Sequence, residues 1–222
     1  MRDIKFGEGE YYHVFNRGVE KRDIVCDEYD VHRFLQSMQM FNTKKPIGSI
    51  FETNFSKKKN KEKKKLGHPL VSFIAYCINP NHYHFLLRQE EEYGVSKFMH
   101  KLGVGYTNYF NEKYERSGSL CQGRFKARHI ASNEDLLHIS AYVNLNYKVH
   151  NLSLGNWIPK SSWEEYIIPK GVLSTKNANK ICDTASILGQ FSRKNDYRQF
   201  ARDSVRGIIA KRRQDLEDLL LE

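Results

Sequence analysis

Apolar positions in the first half of the chain switch between two-residue and three-to-four-residue spacing, which predicts strands interleaved with helices. Residues 10–19 alternate aromatic and β-branched with polar positions and stop at the turn residues Arg17-Gly18, which is typical of a strand. Residues 27–42 repeat apolar positions at helical spacing behind Asp27, a favourable N-cap. The same patterns predict two further strands and one helix, over 69–78, 82–88 and 94–114.

The segment 123–130, GRFKARHI, alternates strictly and therefore predicts a strand with a basic face made of Arg124, Lys126 and Arg128. A helical pattern follows from Ser132, where Asp135 replaces the usual Glu of a capping box. The order β-α-β-β-α-β-α predicts an α+β fold, with a ferredoxin-like antiparallel sheet and its helices packed on one face.

Changes in composition predict the limits of this unit. Seven Lys fall between positions 57 and 65, so we expect a solvated basic loop near 54–68. From about position 156 the segment NWIPKSSWEEYI opens a different region, which ends in an amphipathic helix. We therefore expect one domain over 1–155 and a C-terminal helical extension over 156–222.

The charge balance narrows the class of partner. The chain carries 36 Lys and Arg against 26 Asp and Glu, a formal charge of +10, which favours a polyanion such as nucleic acid. No segment approaches the roughly 20 apolar residues of a membrane span, and the first residues lack the apolar core of an export signal. The four Cys are far apart without CxxC spacing, as reduced thiols are. We expect a cytoplasmic protein without a membrane partner.

Two histidines interrupt an apolar strand in the sequence NPNHYHFLL. Because strand side chains alternate, His82 and His84 share one face, and Tyr83, Phe85 and Leu87 lie on the other. Two imidazoles about 7 Å apart at Cα can converge on one divalent metal. They can equally be structural histidines on a half-buried strand, and both interpretations remain open at this point.

A second candidate group falls on the helix after the basic strand. Tyr142 and Asn146 are four residues apart, so their side chains should lie on one helix face, which His138 shares. An exposed tyrosine is ordinary by itself. Beside a strand with two histidines it becomes a candidate for chemistry, with His138 as a possible base or a plain surface residue.

Several separated motifs resemble, in order and spacing, the single-tyrosine HUH transposases, in particular those associated with repetitive extragenic palindromes (REP) in bacteria. The motifs are NPNHYHFLL, SGSLCQGRFKARHI and YVNLNYKVHN, with YYHVFNRGVEKRDIV before them and SSWEEYI after them. The resemblance covers roughly residues 10–167. It implies metal-dependent cleavage and rejoining of hairpin-associated single-stranded DNA through a 5′-phosphotyrosine, as in DNA transposition.

The resemblance also implies the roles of individual residues. His82 and His84 match the two metal-binding histidines, and Tyr142 matches the nucleophile. Asn146 matches the asparagine of the family pattern Tyr-Ile-x-x-Asn-Pro and is the expected third metal ligand. Imidazole and oxygen ligands of this kind suit Mg²⁺ or Mn²⁺.

The chain departs from the family pattern at two positions. Tyr147 stands where the family usually has proline, which would extend the helix and shift the loop after it. Tyr83 fills the middle position of the HUH motif, where a bulky apolar residue is typical and an aromatic ring should serve.

The DNA should dock on the basic strand, at Arg124, Lys126 and Arg128, with Arg17 and the lysine loop as weaker candidates. The sequence leaves open a monomer or a homodimer, and whether Tyr142 serves its own subunit. Two other functions also fit the pattern. One is a non-catalytic, domesticated protein that binds DNA or RNA hairpins. The other is a ferredoxin-like RNA-binding module with structural histidines.

Overall fold

The structure, a computed structural model, describes residues 4–48, 50, 68–150, 159–168 and 180–220. The described strands β1 to β5 are Tyr11–Arg17, Val71–Ile78, His82–Gln89, Lys126–Ile130 and Lys160–Ser161. The described helices α1 to α7 are Glu28–Met40, Gly94–Lys113, Asn133–Asn144, Asn146–Val149, Trp163–Ile167, Ala185–Leu188 and Lys194–Leu220. A 3-10 turn over Val19–Lys21 follows β1.

The strands form one antiparallel sheet in the order β4-β1-β3-β2-β5. Strands β1 and β3 pair along their whole length, from Tyr11 opposite Arg88 to Arg17 opposite His82. The four strands β4-β1-β3-β2 have the arrangement of a split β-α-β fold, with β5 added at the edge beside β2. The predicted α+β fold with an antiparallel ferredoxin-like sheet is confirmed.

Helices cover both faces of this sheet, whereas the sequence pattern predicted helices on one face. On the first face α1 and α2 pack over Tyr12, Phe73 and Phe85. On the second face α3 and α7 enclose a separate core that includes Leu86 and Val143. The physical reason is β2, which is apolar at nearly every position and buried along almost its whole length, so both of its faces need cover.

Local signals placed the helix starts correctly. The Asp27 side chain accepts a hydrogen bond from the backbone N–H of Asp30 at the start of α1. Ser132 does the same for the N–H of Asp135 at the start of α3. These bonds satisfy amide groups that the first turn of a helix leaves without a partner.

The C-terminal amphipathic helix is present as α7, and it packs along α3. The expected boundary between 155 and 156 lies outside the described residues, and so does all but the last residue of the expected basic loop near 54–68. None of the helices in the described ranges is long and apolar enough to cross a membrane.

Candidate metal and nucleophile site

The fold brings the candidate tyrosine to the candidate histidines within one chain. His82 and His84 project from β3 on the face that α3 covers. Tyr142, half-buried on α3, meets His84 edge to face, with 5.5 Å between the ring centres and 85° between the planes. The strand and the helix therefore present their side chains to the same small volume.

Asn146 joins this group through a break in the helix. Helix α3 ends at Asn144, Leu145 leaves helical geometry with φ −114° and ψ 19°, and Asn146 begins the four-residue helix α4. The Asn146 side chain is fully buried, and its Oδ1 lies 3.2 Å from His82 Nε2. The expected helical extension at Tyr147 is thus present, but as a separate turn after the break.

Both strand histidines have their rings oriented by a neighbouring side chain. His82 Nδ1 lies 2.6 Å from Asn81 Oδ1, which can only accept, so this nitrogen carries the proton. His84 Nδ1 lies 2.9 Å from His13 Nε2, on the neighbouring strand β1. Because Nδ1 is held in both rings, a metal would bind at Nε2, and at His82 it would replace the contact with Asn79.

Burial lowers the pKa of two imidazoles at this site. Desolvation lowers the pKa of His82, while the Asn146 oxygen, which can accept a hydrogen bond from the protonated ring, acts in the opposite direction and the charge of Arg17 adds to the lowering. Desolvation, followed by the charge of Arg128, lowers the pKa of His13 to about 4. Neutral imidazole is the form that binds metal ions.

Sequence reasoning missed a third histidine at this place. The ligand atoms of His82, His84 and His150 all lie within 4.8 Å of one another, so the three could hold a metal ion. His150 is exposed, and its ring centre is 4.9 Å from that of His82. The residue spacing could have indicated this histidine, because His150 follows Asn146 by four residues, as Asn146 follows Tyr142.

The donor atoms have a suitable spacing for a divalent cation. Two adjacent ligands of an octahedral ion with bonds of about 2.1 Å are about 3.0 Å apart. The 3.2 Å between Asn146 Oδ1 and His82 Nε2 is close to this value. Asn146 Nδ2 is buried and finds no hydrogen-bond partner among the described residues, so it is an unsatisfied donor beside these two atoms.

The fully buried side chain of Asn79 contacts both of these candidate ligand atoms. Asn79 Nδ2 lies 2.8 Å from Asn146 Oδ1 and 2.9 Å from His82 Nε2. Its Oδ1 faces the Cys77 thiol at 3.6 Å. Asn79 therefore links the end of β2 to the His82–Asn146 pair.

The predicted basic residues Lys126 and Arg128 share the face of the histidines. Directly opposite residues in an antiparallel pair point to the same side of the sheet. Phe15 lies opposite both His84 and Lys126, and His13 lies opposite Arg128. Lys126 and Arg128 are exposed there, with Arg128 bound to Asp135 at 2.7 Å.

The other two predicted basic residues differ, because Arg17 shares the face of the histidines and Arg124 does not. Arg17 is exposed opposite His82, and its Nε donates to Gln122 at 2.7 Å. Arg124 is not on the basic strand, because β4 begins at Lys126 after a left-handed residue, Gly123, with φ +67°. Arg124 instead lines an open cleft beside α2.

His138, the possible base, is turned toward the C-terminal helix. Its Nδ1 lies 3.2 Å from the hydroxyl oxygen of Ser204, and its ring packs on Phe200 at 5.1 Å between centres. Both partners belong to α7. These contacts assign His138 to the packing of α3 on α7.

Comparisons with known proteins found a similar family and a similar solved structure. Residues 49–146 match the family model of IS200-like transposases. A solved structure of a REP-associated tyrosine transposase bound to a REP hairpin has a similar fold, with a TM-score of 0.50 and 12% sequence identity. That similarity covers 84% of this chain and 95% of the other. No curated protein sequence matches the chain. Over residues 49–146 the chain is thus similar to the IS200-like transposases.

Proposed function

We propose that this protein cleaves and rejoins single-stranded DNA next to a hairpin, with Tyr142 as nucleophile and His82, His84 and Asn146 as ligands of a divalent metal. The observation that carries the proposal is the contact of the Tyr142 ring with His84, in the same chain and on the same face as the His82–Asn146 pair. The name of the similar solved structure, a tyrosine transposase on a hairpin, supports the substrate class.

The reaction is an exchange of phosphodiester bonds. The Tyr142 oxygen attacks the scissile phosphorus, its P–O bond forms, and the bond to the 3′ oxygen breaks. The phenol proton is lost to solvent or a base, and the leaving 3′ oxygen gains a proton. Rejoining runs in reverse, with a 3′ hydroxyl attacking the 5′-phosphotyrosine, so no ATP is needed.

A phenol with a pKa near 10 is a poor nucleophile at neutral pH, so the site has to supply the activation. A bound Mg²⁺ or Mn²⁺ would offset the phosphate charge and orient the phosphate. The chain's own contribution is orientation. Asn81 and His13 hold the two imidazoles at Nδ1, so that Nε2 of each would bind the ion, and α3 fixes the phenol beside them.

The DNA strand would cross the face that carries Lys126 and Arg128. Both side chains are exposed on the strand beside β1. Lys126 is aligned with His84 across the sheet, and Arg128 lies opposite His13. Phosphate contacts from these side chains would position the strand without reading its sequence. Arg17, opposite His82, extends this basic path, and Arg124 would contact DNA that reaches the cleft beside α2.

We also propose that residues 1–155 form the catalytic domain and that 156–222 support it. Helix α7 packs on α3, the helix that carries Tyr142, so the extension would fix the position of the nucleophile. Because Tyr142 already touches His84 of its own chain, one subunit would suffice for cleavage, in a monomer or in each half of a homodimer.

Covalent trapping tests the proposal. The protein is incubated with a labelled single-stranded hairpin and Mn²⁺, and adducts that survive denaturation are resolved on a gel. Wild type and Tyr29→Phe, a change at an exposed tyrosine on α1, should give the adduct. Tyr142→Phe should give none, and His82→Ala should give a strongly reduced yield.

An equal adduct yield from Tyr142→Phe would exclude it as the nucleophile. If the wild type binds the hairpin but forms no adduct with either Mg²⁺ or Mn²⁺, the alternative of a non-catalytic hairpin-binding protein replaces the proposal.

A further inference from the structure

We infer that His150 is an additional ligand of the metal, and that this third imidazole gives the site a preference for transition-metal ions over Mg²⁺. The inference rests on the proposed metal site, and it concerns a residue that lies beyond the HUH pair and Asn146.

The backbone places His150 on the side of the site. Its N–H donates to the Asn146 carbonyl at 3.2 Å and closes the turn that forms α4. Residues four apart on a helical turn project to the same side. His150 therefore follows Asn146 toward His82, and the His150 and His82 rings meet at 71°.

The distances allow all three imidazoles to reach one ion. Opposite ligands of an octahedral ion with bonds of about 2.1 Å are about 4.2 Å apart, and adjacent ligands are about 3.0 Å apart. The separations between the ligand atoms of His82, His84 and His150 are at most 4.8 Å. His150 is exposed, so a small rotation of its side chain would close the remaining gap without disturbing the core.

A third nitrogen ligand changes which ions bind well. Mg²⁺ takes oxygen ligands and keeps several waters, whereas imidazole suits ions such as Co²⁺, Ni²⁺ and Zn²⁺. With two imidazoles and the Asn146 oxygen, the site would offer a mixture of nitrogen and oxygen ligands. With His150 it has three imidazoles, and affinity should rise from Mn²⁺ toward the later ions of the first row.

Co²⁺ binding, followed by its visible absorption without DNA, tests this assignment directly. We expect wild type to bind Co²⁺ more tightly than Mg²⁺, measured by displacement of Co²⁺ with Mg²⁺. His150→Ala should weaken Co²⁺ binding about tenfold or more and alter the spectrum, because one nitrogen leaves the ion. His150→Ala should change Mg²⁺ binding by less than about threefold, since Mg²⁺ readily keeps a water there.

The matched control is His100→Ala, which removes an exposed histidine from α2 and should leave Co²⁺ binding unchanged. If His150→Ala has the same Co²⁺ affinity and the same spectrum as wild type, the inference is overturned. If His82→Ala still loses Co²⁺ in that case, the proposed function stands and only the role of His150 falls. If His82→Ala and His84→Ala also bind Co²⁺ like wild type, the metal site of the proposed function is itself wrong.

Discussion

The phenol ring of Tyr142 stands edge-on to the imidazole of His84, with ring centres 5.5 Å apart. It is also edge-on to His13, at 5.8 Å, and the His13 and His84 rings are nearly parallel, with 17° between their planes. The phenol therefore rests against a pair of hydrogen-bonded imidazoles that come from two neighbouring strands. This contact joins α3 to the sheet and places the candidate nucleophile beside the candidate metal ligands.

The His13–His84 hydrogen bond should determine metal affinity. His13→Ala removes the partner of His84 Nδ1, and loss of a partner that orients a metal ligand typically costs 10–100-fold in affinity. His13→Gln can place a carbonyl oxygen near the same point, so it should recover much of this loss. The measurement is Mn²⁺ affinity of each folded variant, with circular dichroism to verify folding.

If folded His13→Ala binds Mn²⁺ as tightly as wild type does, the hydrogen bond does not have this role. Equal weakening by Gln and Ala would show that His13 acts through packing of the ring rather than through the hydrogen bond.

The buried Asn144 should connect the C-terminal helix to the sheet. Its Nδ2 donates to the Tyr197 hydroxyl at 2.9 Å, and its Oδ1 accepts from the Ser162 hydroxyl at 2.6 Å. Ser162 Oγ also accepts from the Tyr76 backbone N–H at 2.9 Å. Asn144→Ala leaves buried partners unpaired and should lower the free energy of unfolding by about 1–3 kcal/mol, measured by urea denaturation.

The control for this change is Asn133→Ala at the exposed start of α3, where Asn133 bonds to Gln190. It should shift stability by less than about 0.5 kcal/mol. An unfolding free energy of Asn144→Ala within that same margin of wild type would show that the buried network contributes nothing.

The basic face should give a salt-dependent affinity for single-stranded DNA. Each phosphate contact contributes a slope of about −0.7 to the dependence of log affinity on log salt. Lys126→Ala should therefore weaken hairpin binding at low salt and reduce the slope by about that amount. Lys97→Ala, an exposed lysine on α2, should leave the slope unchanged, and an unchanged slope for Lys126→Ala would exclude Lys126 from the DNA contact.

Much of the site could be predicted because its signals are local. The two-residue period of a strand places His82 and His84 on one face, and helical spacing places Tyr142 near Asn146. The capping side chains of Asp27 and Ser132 likewise act within a single turn. Local periodicity is independent of which elements later pack together.

The rest depends on contacts between distant segments. His13 meets His84 only because β1 pairs with β3, and no local pattern sets that pairing. Arg124 leaves the basic face because β4 begins its pairing with β1 at Lys126. The break at Leu145, which turns Asn146 and His150 toward His82, follows from packing rather than from helix propensity.

The position of the nucleotide on the trapped protein tests most directly whether Tyr142 is the nucleophile. Trypsin should release residues 129–148, a peptide that contains both Tyr142 and Tyr147, and fragmentation by mass spectrometry can separate the two. We expect a nucleotide mass on Tyr142, formed only when a divalent metal is present. A nucleotide on Tyr147 or on a different peptide, or an adduct that forms equally in a chelator, would contradict it.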